Sequence, residues 1–96
     1  MNISKINSIA FNGYIMVKDQ SGEKRCFYTK NISYVRKFQD GTQIVGPDTN
    51  GKHDCFVRRS GGVTYQDVAA AYNMAQKDPI RVDLTNADQR FWYSKL

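Results

Sequence analysis

The sequence predicts an α+β protein in which a small, mainly antiparallel sheet of four to five strands is packed by one helix. Roughly residues 7–60 consist of short runs of strand-forming residues separated by glycine-containing turns. A single helical pattern follows over residues 65–76, after a capping residue and before Pro79. With 96 residues, the chain is expected to form one small globular domain spanning residues 1–96.

The sheet is predicted to begin with a short strand at residues 9–11 and a hairpin over residues 14–29. Residues 14–18 are an apolar run of strand formers, and residues 25–29 form the returning strand. Gly22 lies between them and supplies a positive φ at no steric cost. The two strands are therefore expected to be antiparallel neighbours.

Three further strands are predicted at residues 32–38, 42–45 and 54–58. Asp40-Gly41 is a hairpin turn between the first two of them. Because side chains alternate along a strand, residues 32–38 present two different faces. One face carries Ile32, Tyr34, Arg36 and Phe38, and the other carries Ser33, Val35, Lys37 and Gln39.

The helix and the segment after it complete the predicted fold. Thr64 followed by Asp67 is a variant of the capping box. Residues 80–84 are expected to form an edge strand, and residues 86–96 a short second helix. The predicted core consists of the apolar residues at helical spacing on the helix and the apolar residues at inward-facing positions of the strands. Its members are Ile15, Val17, Ile44, Val57, Val68, Ala71 and Tyr72.

Composition narrows the class of protein. No apolar run approaches the ~20 residues that a membrane span needs, so no membrane partner is expected. The first residues have a single Lys and no long apolar stretch, unlike a signal peptide. Cys26 and Cys55 each lie in a strand-like run and are expected to be free thiols in the core. We therefore expect a cytoplasmic protein.

The net charge of +5 is concentrated in the strand region. Residues 18–59 hold nine Lys or Arg against five Asp or Glu, which leaves +4, whereas residues 60–96 hold four of each. An anionic partner is therefore expected to meet the sheet before the helix.

No set of residues indicates catalysis. His53, Asp54 and Cys55 crowd together, but one His and two Cys are too few for the usual zinc sites. No cysteine or serine has the sequence context of a nucleophile, and the nine acids are scattered. Ser60-Gly61-Gly62 lacks the spacing and the Lys of a phosphate-binding loop. We expect no enzyme activity, no metal and no cofactor.

Two groups of residues are candidates for binding. Cations beside flat rings are what single-strand and RNA-binding sheets use. Such a nucleic-acid site would comprise Tyr34, Arg36, Lys37, Phe38, Arg58 and Arg59. The second group is the aromatic cluster Phe91, Trp92 and Tyr93, which either contacts a protein partner or closes the core.

From the sequence, the leading hypothesis is a small non-catalytic binding or regulatory protein that acts through protein–protein contacts or self-association. Accessory proteins and inhibitors of phages and mobile elements have this size and lack of catalytic groups. The alternative is a nucleic-acid-binding domain that uses the basic face of its sheet. It ranks second because five acids interrupt the basic region.

Overall fold

The structure is a computed structural model that describes residues 13–85 and the backbone of residues 92–95. These residues contain seven strands, two short 3-10 turns and one α helix. The strands are β1 (Tyr14–Lys18), β2 (Lys24–Tyr28), β3 (Tyr34–Phe38), β4 (Gly41–Val45), β5 (Cys55–Arg58), β6 (Ile80–Asp83) and β7 (Trp92–Lys95). The helix is α1 (Tyr65–Lys77), and the 3-10 turns are Thr29–Asn31 and Arg59–Gly61. The predicted α+β class, with one helix and mostly antiparallel strands, is confirmed.

The seven strands form two sheets, whereas a single sheet of four to five strands was predicted. The first sheet has the order β2-β1-β6-β7 and the second has the order β3-β4-β5. The chain leaves the first sheet at the 3-10 turn after β2, where the Thr29 amide donates to the Gly13 carbonyl and the Ile32 amide to Thr29. The next amide, of Ser33, already donates to Val45 beside β4. β3 therefore starts a new sheet.

The predicted hairpin over residues 14–29 is confirmed. β1 and β2 are antiparallel, with Ile15 opposite Phe27. The Asp19 carboxylate accepts hydrogen bonds from the amides of Ser21 and Glu23, both at 2.9 Å, and Gly22 adopts a φ of 89°. The aspartate and the glycine together fix the turn, and the turn fixes the register.

The last two strands differ from the prediction. β6 is an inner strand, parallel to β1 on one side and antiparallel to β7 on the other, whereas an edge strand was expected. The helix predicted over residues 86–96 is wrong for residues 92–95, which form β7. Residues 86–91 and 96, like the strand predicted at residues 9–11, lie outside the described residues.

The helix begins with the predicted capping box. The Thr64 hydroxyl accepts from the Asp67 amide at 3.2 Å, and the Asp67 carboxylate accepts from the Thr64 amide at 2.9 Å. At its other end the helix lies close to the start of β1, where the Gly13 amide donates to the Ala75 carbonyl at 3.1 Å. A Cβ on Gly13 would lie 2.7 Å from that oxygen, so only glycine allows this approach.

The core lies between α1 and the inner faces of both sheets. Six of the seven predicted core residues are buried. Tyr72 is the exception: it is half-buried, and its hydroxyl accepts a hydrogen bond from Gln76 near the surface. On the second sheet the core side carries Val35, Ile44, Cys55 and Val57, so the alternate positions of these strands face outward.

Candidate nucleic-acid interface

The outward side of the second sheet carries aromatic and cationic residues, and we call it the open face. The strand register aligns Tyr34 with Val45, then Arg36 with Gln43 and Phe56, then Phe38 with Gly41 and Arg58. These eight residues define the open face, and none of them is acidic. Tyr34 is 46% exposed and Phe38 is 39% exposed. Large rings this exposed at two positions of one strand are a feature that core packing does not explain.

Arg36 lies between the two exposed rings on β3. Its guanidinium carbon is 5.4 Å from the centre of the Tyr34 ring and 5.9 Å from that of Phe38. Both distances are within the range of a cation–π interaction. No acidic side chain of residues 13–85 forms an ion pair with Arg36 or with Arg58. One strand thus presents a ring, a cation and a second ring to the outside.

Phe56 supports this arrangement from β5. Its ring meets that of Phe38 edge to face, with 5.9 Å between centres and 83° between planes. The ring also lies over Gly41 of the intervening strand, because a Cβ on Gly41 would be 2.6 Å from the nearest Phe56 ring carbon. A glycine at this position of β4 therefore lets Phe56 reach across the sheet to Phe38.

Three of the five acids in residues 18–59 are engaged in ion pairs away from the open face. The buried Arg25 guanidinium contacts Asp48 at 2.5 Å and Asp19 at 3.2 Å. On the surface nearby, the Lys52 ammonium lies 3.0 Å from Glu23. These pairs use three acids and two cations and carry a net −1, so the unpaired charges of the same residues are seven cations against Asp40 and Asp54, a balance of +5.

Hydrogen bonds keep the carboxylates of Asp19 and Asp48 ionised. Burial alone would raise the pKa of Asp19, but hydrogen bonds from Ser21, the Glu23 amide and Arg25 outweigh it and lower that pKa to about 2. Burial likewise opposes ionisation of Asp48, whose pKa is nevertheless lowered by hydrogen bonds from Arg25 and two backbone amides. Arg25 therefore stays neutralised and adds no charge to the surface.

The six residues predicted for nucleic-acid binding are not all on one surface. Tyr34, Arg36, Phe38 and Arg58 share the open face. Lys37 points to the other side of β3 because neighbouring side chains alternate. It lines a cleft of about 310 Å³ together with Phe38, Arg59 and the first residues of α1. The capping box already satisfies the Thr64 and Asp67 amides at that helix start.

The structure also adds residues that the sequence did not indicate. Phe56 and Gln43 belong to the open face because the register places them opposite Arg36. A period-2 pattern in residues 55–58 places Phe56 and Arg58 on the same side of the strand. It does not show whether that side faces outward or which strand lies next to it. Phe27, in contrast, is fully buried and takes no part in any surface.

The outward side of the first sheet has a different composition. Tyr28, 41% exposed, lies beside Tyr14 with 5.4 Å between ring centres. Asp83 is aligned with Met16 on that side, and Arg81 is aligned with Tyr14. A carboxylate in the middle of this surface makes it a poorer match for an anionic ligand.

The predicted aromatic contact at the C-terminal end is only in part described. Phe91 lies outside the described residues, and Trp92 and Tyr93 lie in β7, of which only the backbone is described. Tyr93 is aligned with Val82 and Trp92 with Asp83. The backbone of this segment is therefore part of the first sheet.

The residues with catalytic or metal-binding potential are not brought together. His53 is exposed, whereas Cys55, two residues later, is buried in the core. Burial raises the pKa of the Cys55 thiol to about 12, and the carboxylates of Asp19 and Asp48 add to this effect despite the nearby Arg25. The described residues contain no cluster of three His, Cys, Asp or Glu side chains that could hold a metal ion. Cys26 and Cys55 are unpaired.

The chain matches no protein-family model, no curated protein and no solved structure. None of the helices in the described residues has the length and apolar character needed to cross a membrane. The open face is the feature of the described residues that bears most directly on function.

Proposed function

We propose that this protein is a non-catalytic nucleic-acid-binding protein that uses the open face. The observation that carries the proposal is the ring–cation–ring arrangement of Tyr34, Arg36 and Phe38 among eight outward strand residues, none of which is acidic. Nucleic acids combine a phosphate backbone, which cations neutralise, with flat bases, which stack on aromatic rings. Each chemical component of the open face has its counterpart in that ligand.

The charge balance favours nucleic acid over a protein partner. Five acids interrupt the basic region, but three of them are engaged in ion pairs away from the open face. The open face holds Arg36 and Arg58, and Lys37 and Arg59 line the adjoining cleft. Four cations within one region, beside exposed rings, support a polyanion as the ligand.

Fluorescence anisotropy with labelled oligonucleotides at 50 and 200 mM salt tests the proposal. If the four cations each neutralise one phosphate, the logarithmic salt slope should be about −2.8, and affinity should fall about 50-fold between the two concentrations. Arg36→Gln with Arg58→Gln should reduce that slope by about 1.4.

The matched control is Lys18→Gln with Lys24→Gln, an exposed cross-strand pair on the first sheet. This variant loses the same charge and should retain most of the affinity and the full slope. Absence of binding at 50 mM salt to both single- and double-stranded oligonucleotides would refute the proposal. Equal losses in both double variants would place the site elsewhere.

A second candidate is protein binding or self-association through β7. The observation that favours it is the position of this strand, which forms an edge of the first sheet and carries Trp92 and Tyr93 beside Phe91. Edge strands offer unpaired backbone groups to another chain, and aromatic residues dominate interface energies. A regulatory role in the cytoplasm, where cysteines remain reduced, would suit such a protein.

Deletion of residues 89–96 tests this candidate. Sedimentation velocity measures association, and circular dichroism measures folding of the same sample. Loss of association with the fold intact would support an interface, whereas unfolding would show that the segment completes the fold. If the full chain is monomeric at 100 µM, self-association with a Kd of about 100 µM or less is excluded.

A further inference from the structure

The spacing of the two exposed rings bears on which form of nucleic acid the open face binds. Tyr34 and Phe38 are four residues apart on β3, so their Cα atoms are about 13 Å apart at ~3.3 Å per residue. The two ring centres lie 5.4 and 5.9 Å from the same Arg36 atom and so are at most 11.3 Å apart. Bases stacked within one strand of a duplex are only about 3.4 Å apart. Neighbouring stacked bases therefore cannot reach both rings.

The rings also need bases whose flat sides are accessible. In a duplex each base is stacked and paired, so a sheet laid against it meets phosphates and groove edges. A single strand can separate its bases and lay them on aromatic side chains. The exposed rings of the open face would find no base to stack on in an undistorted duplex, whereas on a single strand both would.

From this spacing we infer that the open face binds an unstacked single strand, with one base on Tyr34, a second on Phe38, and the linking phosphates beside Arg36. This inference rests on the proposed function. Arg58 lies on β5 and is aligned across the sheet with Phe38 through Gly41. It would neutralise a phosphate beyond the second base. Phe56 contacts the Phe38 ring edge to face and so holds it in place.

The test compares two probes of one sequence at 50 mM salt. One is a labelled 16-nucleotide single strand of mixed sequence, and the other is the same strand annealed to its complement. The single strand should bind at least about tenfold more tightly, because it alone gains the stacking of two bases. Tyr34→Ala and Phe38→Ala should each weaken single-strand binding by about fivefold to 150-fold.

Controls separate stacking from charge and from folding. The ring variants should leave the salt slope unchanged, because no phosphate contact is lost. Tyr34→Phe and Phe38→Tyr keep the ring and should keep the affinity. Tyr28→Ala removes a ring of similar exposure from the first sheet and should have no effect. Unchanged circular dichroism spectra would show that the variants fold.

The outcomes distinguish this inference from the proposed function. Binding of the duplex as tightly as the single strand, or ring variants without effect on single-strand binding, would overturn the inference and leave nucleic-acid binding in place. If neither probe binds, the proposed function fails, and the inference falls with it. Preference for the single strand that depends on both rings is the result expected.

Discussion

Asp48→Asn should unfold the protein more easily because it leaves a buried cation without its main partner. The Asp48 side chain is 1% exposed and receives hydrogen bonds from the Arg25 guanidinium and from the amides of Asn50 and Lys52. An asparagine oxygen can still accept from the two amides. Its NH₂ group, however, cannot accept from Arg25.

The size of the loss follows from the burial of Arg25, which is 5% exposed. Removing one partner of a buried ion pair costs about 3–5 kcal/mol, largely because the other charge is left unpaired. Asp19 still contacts Arg25 at 3.2 Å. We therefore expect a loss near the lower limit, about 3 kcal/mol in the free energy of unfolding.

Urea unfolding at pH 7, followed by circular dichroism, measures this loss. Glu23→Gln is the control, since it breaks the exposed pair with Lys52 and should cost no more than about 0.5 kcal/mol. Adding Arg25→Met to Asp48→Asn removes the stranded charge and should restore much of the stability. A loss below about 1 kcal/mol for Asp48→Asn, or no recovery of stability in the double variant, would show that the buried Arg25 charge does not depend on Asp48.

Three further predictions concern stability. Asp19, at a pKa of about 2, and Asp48 both have lowered pKa values in the folded state. The ionised carboxylates therefore stabilise the fold fully above the unfolded-state pKa of about 3.9, and this stabilisation is lost as the pH falls below that value. Urea midpoints should therefore fall between pH 4 and 2, and an unchanged midpoint at pH 2.5 would show that these carboxylates do not stabilise the fold. Val57→Ala should cost about 1–3 kcal/mol in urea unfolding, since Val57 is 3% exposed, and a loss near zero would mean that β5 faces the other way. Thr42 is fully buried and its hydroxyl has no hydrogen-bond partner among the described residues. Thr42→Val should therefore raise the free energy of unfolding by about 1 kcal/mol. A decrease of that size would show that the hydroxyl is hydrogen-bonded.

Local signals in the sequence predicted the elements that depend on neighbouring residues. The Thr64 and Asp67 capping box and the turn at Gly22 both form as expected, and in each of them a side chain bonds to backbone a few residues away. Pairings between distant segments carry no such signal. The parallel alignment of Ile15 with Val82 and the division into two sheets therefore could not be predicted.

The candidate site shows the same limit. Alternation along residues 32–38 correctly grouped Tyr34, Arg36 and Phe38 and separated Lys37 from them. It also placed Ile32 on their face, which is wrong, because Ile32 precedes β3 and is buried in the core. Phe56 joins them only through the register of three strands. The neutralisation of Asp48 by Arg25, 23 residues away in the chain, is equally a property of the folded state. That contact changes the balance between the two functional hypotheses.

Binding of a single strand by the open face is tested most directly by a ¹H–¹⁵N correlation spectrum of the full chain titrated with an unlabelled single-stranded oligonucleotide at 50 mM salt. We expect the largest shifts on amides of β3 and β5, at Tyr34, Arg36, Phe38 and Phe56, while those of β2 change little. Shifts concentrated on the first sheet, or no shifts at saturating oligonucleotide, would contradict it.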